Sequence, residues 1–315
     1  MSACQLESIP FVPLRHLLKT MSIYNLIELS RTSKLWKEEI QTMQIIQPGG
    51  YRITIDEIGS SVEMAKQDCK FYWNRKEKSK LLEYVFGCYR YLNSIFPGGI
   101  NHLRICPTYI SDFEKIPNEC QILSIGIASE IYTEWDLESL DNFSNLDILL
   151  NHVNFRKGLS LNGPKFLIPE NSKMLNIDWL KVENSESLTS SILRKLKNKI
   201  INLSGVKFNE KEINEYLWDL KQGNGNEKLQ ILTIQREDGK WNDDEVIKGL
   251  DTYRVGKQVY YLEDYDPLIE SEDFLPYHSE NRICISDSYE FRRSDEIRCT
   301  IEIRYSTIQI FVWNH

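Results

Sequence analysis

Side chains that could act as nucleophiles, proton carriers or metal ligands are present in this chain, but their spacing organises none of that chemistry. The seven cysteines, Cys4, Cys69, Cys88, Cys106, Cys120, Cys284 and Cys299, are odd in number and include no C-x-x-C pair. The five histidines, His16, His102, His152, His278 and His315, are equally dispersed. A structural zinc site needs closely spaced ligand pairs and a disulfide framework needs an even set, so the pattern suits buried thiols in a reducing compartment. No G-x-x-x-x-G-K-[ST] phosphate loop, G-x-S-x-G elbow or H-E-x-x-H occurs. Asp264, Asp266 and Glu270 have the outline of a calcium loop. Leu268 stands where an oxygen ligand is needed, however, and Ile269 where the turn glycine is needed, so the segment reads as an acidic loop. Asp243, Asp244 and Glu245 suit the positive N-terminal end of a helix that ends near Leu250. The expectation is a chain with no catalytic set, no metal and no other cofactor.

Recognition is better served than catalysis. Tyr253, Tyr260, Tyr261 and Tyr265 lie in an acidic, turn-rich stretch, where rigid side chains with polar tips can form a contact surface for another protein. The same residues could instead pack into the domain, and the sequence leaves both readings open.

The elements that must position such a surface follow from composition and periodicity. A chain of 315 residues accommodates a small module and one larger domain. Its net charge of −8, without a basic face, argues against binding nucleic acid through phosphates. No apolar run approaches the ~18 residues of a membrane span, and the densest, Ile308 to Trp313, is strand-sized. Pro10, Pro13 and Arg15 interrupt what would have to be the apolar segment of a signal peptide, so a cytoplasmic or nuclear location is expected.

Three short helical patterns are compressed between Ile9 and Ile40. Ile9-Pro10 opens the stretch in an extended conformation. Leu14, Leu17, Leu18 and Met21 then hold one helical face. Ser22 is placed to cap a second helix carrying Ile23, Leu26, Ile27 and Ser30, and Thr32 or Ser33 a third carrying Leu35, Trp36 and Ile40. Helices this short cannot bury all their apolar surface in one another, so part of it is meant for a partner. The arrangement resembles an F-box, the module that docks a substrate receptor onto the Skp-family adaptor of a cullin-based ubiquitin ligase. Ile9-Pro10 stands at its leading Leu-Pro, and Leu14, Leu17, Leu18 and Met21 at its first helix. Asn25-Leu26-Ile27 with Leu29 is similar to its Asp-Leu-Leu stretch, and Ser33 with Trp36 to its Ser-x-x-Trp close. Val12, Pro13 and Thr32 depart from that pattern. The plainer reading is a three-helix cap on a larger domain.

Beyond a turn at Gln47 to Gly50, Tyr51 to Ile55 alternates as a strand, and residues 62–95 read as one or two helices that include Leu81, Leu82, Val85, Phe86, Tyr89 and Leu92. A weak repeat comes next. Leu150-x-x-Val153-x-Phe155, Ile177-x-x-Leu180-x-Val182 and Leu203-x-x-Val206-x-Phe208 start 27 and 26 residues apart. Looser Leu-x-Ile signatures occur at Leu103, Leu123 and Leu232, and helical stretches at Leu188 to Lys199 and Phe208 to Gln222. Strand, turn and helix at such a period describe a leucine-rich-repeat-like solenoid, or an α/β domain whose strands happen to be evenly spaced. Tyr289 to Arg293 and Thr300 to Trp313 read as two or three antiparallel strands around a turn at Ser294-Asp295-Glu296. Asn214 to Trp218, Gly223 to Leu229, Ile247 to Leu250 and the Arg292-Arg293 hairpin ending on Val312-Trp313 resemble, in that order, the type 2 F-box-associated domain.

The expected fold class is α/β, with an F-box-like three-helix module over residues 7–45 and a repeat-like α/β solenoid over 50–315, closed by a C-terminal β-hairpin. The F-box-associated region would span about 170–315. The resemblance implies a substrate receptor of an SCF-type ligase that is not itself an enzyme. Its adaptor contact would be made by Ile9, Pro10, Leu14, Leu17, Leu18, Leu26, Ile27, Leu29 and Trp36, with a cullin reached through the adaptor. The target protein would meet Tyr253, Tyr260, Tyr261 and Tyr265. The alternative is a repeat-type interaction module with no link to a ligase.

Overall fold

The computed structural model describes residues 11–47, 49–56, 59–67, 69–74, 78–126, 146–163, 172–262, 274, 278–279 and 282–313. The chain divides into two compact units, one of residues 1–121 with 144–154 and one of 122–143 with 155–315. The boundary expected between 45 and 50 therefore falls inside the first unit.

The first unit begins with three helices, α1 (Phe11–Thr20), α2 (Ile23–Thr32) and α3 (Lys34–Thr42). Next come β1 (Tyr51–Ile55), β2 (Gly59–Met64), β3 (Lys70–Asn74), α4 (Lys78–Ile95) and β4 (Ile100–Ile105). These strands lie in the order β4-β1-β2-β3, with β1 and β4 parallel and the other pairs antiparallel. Ile53 sits in register with Val62 on one side and Leu103 on the other. All three are fully buried, as are Leu82, Val85 and Phe86 of α4, which packs on β1 and β2. Residues 62–74 were expected to be helical. Strand β2 is hidden because Ser60 and Ser61, near its start, are both buried polar residues, so no alternation of apolar and polar types marks it. Helix α2 meets this layer through Tyr24, whose ring lies edge-on to Phe71 at 5.8 Å. Ser30 of α2 hydrogen-bonds Tyr91 of α4 at 2.9 Å, and Arg31 and Lys37 both lie over the Tyr91 ring. These contacts join the three helices to β3 and α4.

The second unit is built on a large mixed sheet. Four parallel strands, of which the first comes after β5 (Glu119–Gly126) and the helix α5 (Leu146–His152), are β6 (Asn154–Asn162), β7 (Trp179–Val182), β8 (Ile200–Val206) and β9 (Ile231–Arg236). Helix α6 (Ser190–Lys195) lies between β7 and β8, and α7 (Glu210–Lys221) between β8 and β9. Asn209 and Glu212 close α7 with a reciprocal capping box. Beyond β9 lie α8 (Asp243–Val246), β10 (Tyr253–Val255), β11 (Gln258–Tyr261), β12 (His278–Ser279) and β13 (Arg282–Ile285). The chain ends with β14 (Ser288–Arg292), β15 (Arg298–Arg304) and β16 (Thr307–Trp313). The last strand pairs antiparallel with β9, and the sheet continues β16-β15-β14-β10. The antiparallel strands read from Tyr289 onward are thus present, with the β14 to β15 turn at Ser294 to Glu296.

Aliphatic residues stand in register across the four parallel strands, in a frame that differs from the one expected of the repeat. Leu159, Leu180, Ile201 and Leu232 stand side by side on the four parallel strands, and Leu161, Val182, Leu203 and Ile234 form the next row. Successive members lie 21, 21 and 31 residues apart. Leu150 and Val153, expected to open the first unit of the repeat, belong to α5 and the turn after it. Both rows are buried, as are Ile192 and Leu193 of α6 and Ile213, Leu217 and Leu220 of α7. The turns before the strands are bridged by asparagines. Buried Asn198 donates from Nδ2 to the Met174 and Ile177 carbonyls at 2.9 and 2.7 Å, and its own carbonyl accepts from Asn226 Nδ2 at 2.6 Å. On the opposite face of the sheet, Trp179, Ile200, Ile231 and Phe311 form a cluster with Tyr260, Phe274, Ile283 and Ile285. A three-stranded sheet, β11-β13-β12, supplies three of those partners.

Candidate functional site

The N-terminal helices are stopped and restarted by serines. Ser22 accepts a hydrogen bond from the Asn25 amide and Ser33 from the Trp36 amide, each at 3.2 Å, so two orphan donors are satisfied within a few residues. Of the two cap residues considered for α3, Ser33 is the one used. Thr32 Oγ1 donates instead to the Leu29 carbonyl. Between the caps, Leu14, Leu18, Leu26, Ile27, Leu29, Trp36 and Ile40 close into the interior.

Residues 6–47 match the F-box domain. The match takes in all three helices and both caps, and ends before β1. No curated protein and no solved structure matches the chain.

Burial redistributes the roles expected within the F-box. Leu14, Leu18, Leu26, Ile27, Leu29 and Trp36, expected at the adaptor contact, are buried in the chain by itself, Leu14 and Leu29 keeping 7% and 8% exposure. Ile9 and Pro10 lie outside the described residues. Leu17 is the expected contact residue that stays partly accessible. Exposed apolar side chains of these helices include Val12, 75% exposed, and Leu35, 49% exposed, and Pro13 follows Val12 on α1. Pro13 and Leu17 are spaced four residues apart, which puts them on one side of α1, displaced from the buried Leu14 and Leu18. The sequence contained both faces, and only the packing partner tells which turns inward.

The tyrosines of the second unit separate in the same way. Tyr253 on β10 is exposed, and its hydroxyl donates to Glu290, which holds it as phenol by raising its pKa. Tyr260 is 4% exposed, with its ring 5.3 Å from Phe311 and 5.0 Å from Trp313 and its hydroxyl donating to the Val312 carbonyl at 2.9 Å. It is a core residue, which corrects its expected place on the contact surface. Tyr261, one residue on, is 56% exposed. The reason is the strand period, since β11 turns alternate side chains to opposite faces. Val259 and Tyr261 face outward in register with Cys284 and Arg282 of β13, all four exposed. A turn-rich reading of the stretch conceals that alternation. Tyr265, like Asp264, Asp266 and Glu270, lies outside the described residues.

Electrostatics in the two units keeps potentially reactive groups neutral. Burial pushes the Cys88 thiol up to about 11, helped by Cys69, and the Cys299 thiol up to about 12. Neither is poised as a thiolate nucleophile. Among the described residues, no three His, Cys, Asp or Glu side chains are grouped so as to hold a metal ion.

Proposed function

We propose that this chain is the substrate receptor of an SCF-type ubiquitin ligase. Its F-box docks a Skp-family adaptor and, through it, a cullin, while the second unit holds a target protein for ubiquitin transfer. The observation that carries the reading is the F-box match over residues 6–47 on three helices, two of them capped by serines, that leave Val12 and Leu35 uncovered. A solvent-exposed valine at three-quarters accessibility on a short helix is what an apolar helix-in-groove contact needs. The receptor contributes proximity and no bond chemistry of its own, and works in the cytoplasm or nucleus.

The second unit is read as a leucine-rich-repeat-like domain of the type 2 F-box-associated kind. Support comes from the in-register aliphatic rows on β6 to β9 and from the asparagine bridges between their turns. The motif residues also act in concert. Asn214 Nδ2 donates to the Val246 and Lys248 carbonyls, and Ser294 donates its amide to Lys221 beside the Gly223 turn. The target surface is assigned to the outer face of the β11 to β13 sheet, around Tyr261, Val259, Arg282 and Cys284.

Copurification of the full chain with a Skp-family adaptor and cullin tests the proposal, repeated with Val12→Asp combined with Leu17→Asp. The adaptor should be recovered with the unaltered chain and lost, by at least about tenfold, with the double variant at unchanged melting temperature. Equal recovery with a folded double variant, or no adaptor with the unaltered chain, overturns the reading and favours an interaction module outside any ligase.

A further inference from the structure

A half-open cavity of about 780 Å³ lies within the first unit, where α3 ends and the loop to β1 turns past the end of α4. Its volume falls within the range of sites that bury drug-sized molecules, roughly 300–1,000 Å³. Ile40, Ile46, Ile95 and Pro97 give it an apolar lining, and the amide-bearing Gln41, Gln44 and Gln47 give it hydrogen-bonding groups. Lys66 is the sole ionisable side chain among the described lining residues. In a chain of net charge −8, a cavity whose one charge is a cation is selective by sign.

The Lys66 side chain is exposed to solvent at this cavity. The Lys66 stem lies directly on Gly49, where any Cβ would collide with its Cγ and Cδ, and Gly49 has φ +65. Lys66 forms no ion pair with a described residue. The loop beneath it is fixed from outside, since Asn101 Nδ2 donates to the Gly49 carbonyl and the Ala65 amide to the Gly50 carbonyl at 2.9 Å. Gly50 also has no room for a side chain, because a Cβ there would strike Asn101. Two glycines thus let the chain pass closely under a lysine stem on one side and an asparagine on the other, and the cavity wall exists before anything binds.

We propose that this cavity is a binding site for a small organic anion. Its carboxylate, sulfonate or phosphate head would pair with Lys66, and its apolar body would lie against Ile46 and Pro97. The site is separate from the docking and target surfaces, so it stands or falls independently of the ligase reading. Because α3 supplies Ile40, Gln41 and Thr42, an occupant contacts the last helix of the F-box and stabilises the folded unit by mass action.

The probe is 8-anilinonaphthalene-1-sulfonate, which combines an apolar body with a sulfonate, titrated fluorometrically into the purified full chain. Octanoate should displace it, while octan-1-ol and octylamine at the same concentration should not. Lys66→Glu should weaken binding of the probe at least about tenfold, and Lys66→Arg should preserve it within about threefold, as expected for a charge-assisted contact. Lys66 is exposed, so neither change burdens the fold, and melting curves of both variants verify that. Unchanged affinity in a folded Lys66→Glu protein, or displacement by octylamine as effective as by octanoate, overturns the proposal.

Discussion

Tyr260 and Tyr261 are neighbours in sequence and opposites in burial, and the difference is one of phase along β11. Truncating Tyr260 to Ala removes a ring packed against Phe311 and Trp313, a loss of about 3–5 kcal/mol for a large buried aromatic. Tyr260→Phe keeps the ring and gives up only the hydrogen bond to the Val312 carbonyl, about 1 kcal/mol. Tyr261→Ala should change stability by no more than about 0.5 kcal/mol. Urea midpoints of the three variants measure this ladder. A Tyr261→Ala protein as unstable as Tyr260→Ala would mean that the phase is reversed. In the first unit, Leu17 and Leu18 pose the same question one residue apart. A sequence supplies the aliphatic types but not which of two adjacent positions turns inward.

At the scale of elements, legibility followed the purity of the local pattern. Strand β1 could be read because Tyr51, Ile53 and Ile55 alternate with Arg52 and Thr54. Helix α7 could be read because Ile213, Tyr216, Leu217 and Leu220 share one face. Strands β2 and β3 were missed, since two buried serines erase the alternation and the neighbouring apolar run of α4 invited a helix across the whole span. The frame of the repeat was missed because Val153 and Phe155 mimic a row that in fact begins at Leu159. The element that best sets the frame is polar. Asn198 ties two turns together from a position with no exposure, and its carbonyl receives a third tie from Asn226. Asn198→Ala would leave the Met174 and Ile177 carbonyls without that donor, at a cost of about 2–4 kcal/mol. Asn198→Asp should cost more, because it sets a carboxylate against the same two carbonyls. Chemical denaturation should rank the proteins in that order, and equal midpoints for Ala and Asp would remove the bridging role.

At the scale of the molecule, both units bury acidic hydrogens that the unfolded chain would surrender. Burial raises the pKa of the Tyr51 hydroxyl in the first unit and, in the second, that of the Tyr216 hydroxyl and the Cys299 thiol, the last to about 12. Ordinary thiols and phenols ionise near about 8.5 and about 10. As pH rises past those values the unfolded chain binds fewer protons than the folded one, so stability falls with pH. It should be intact below about pH 8 and decline toward the folded value of Cys299 near 12. Urea midpoints under reducing conditions at several pH values test this. The decline should be shallower in Cys299→Ala, and a flat profile through that window would contradict it. That the F-box helices share one unit with the layer after them was not legible, because contacts such as those of Tyr24, Ser30, Arg31 and Lys37 leave no motif. The alternation on β11 and β13 leaves positions 259, 261, 282 and 284 free to drift, while Tyr260, Ile283 and Ile285 between them are pinned by the interior. Such a lattice can be rewritten residue by residue without endangering its own scaffold.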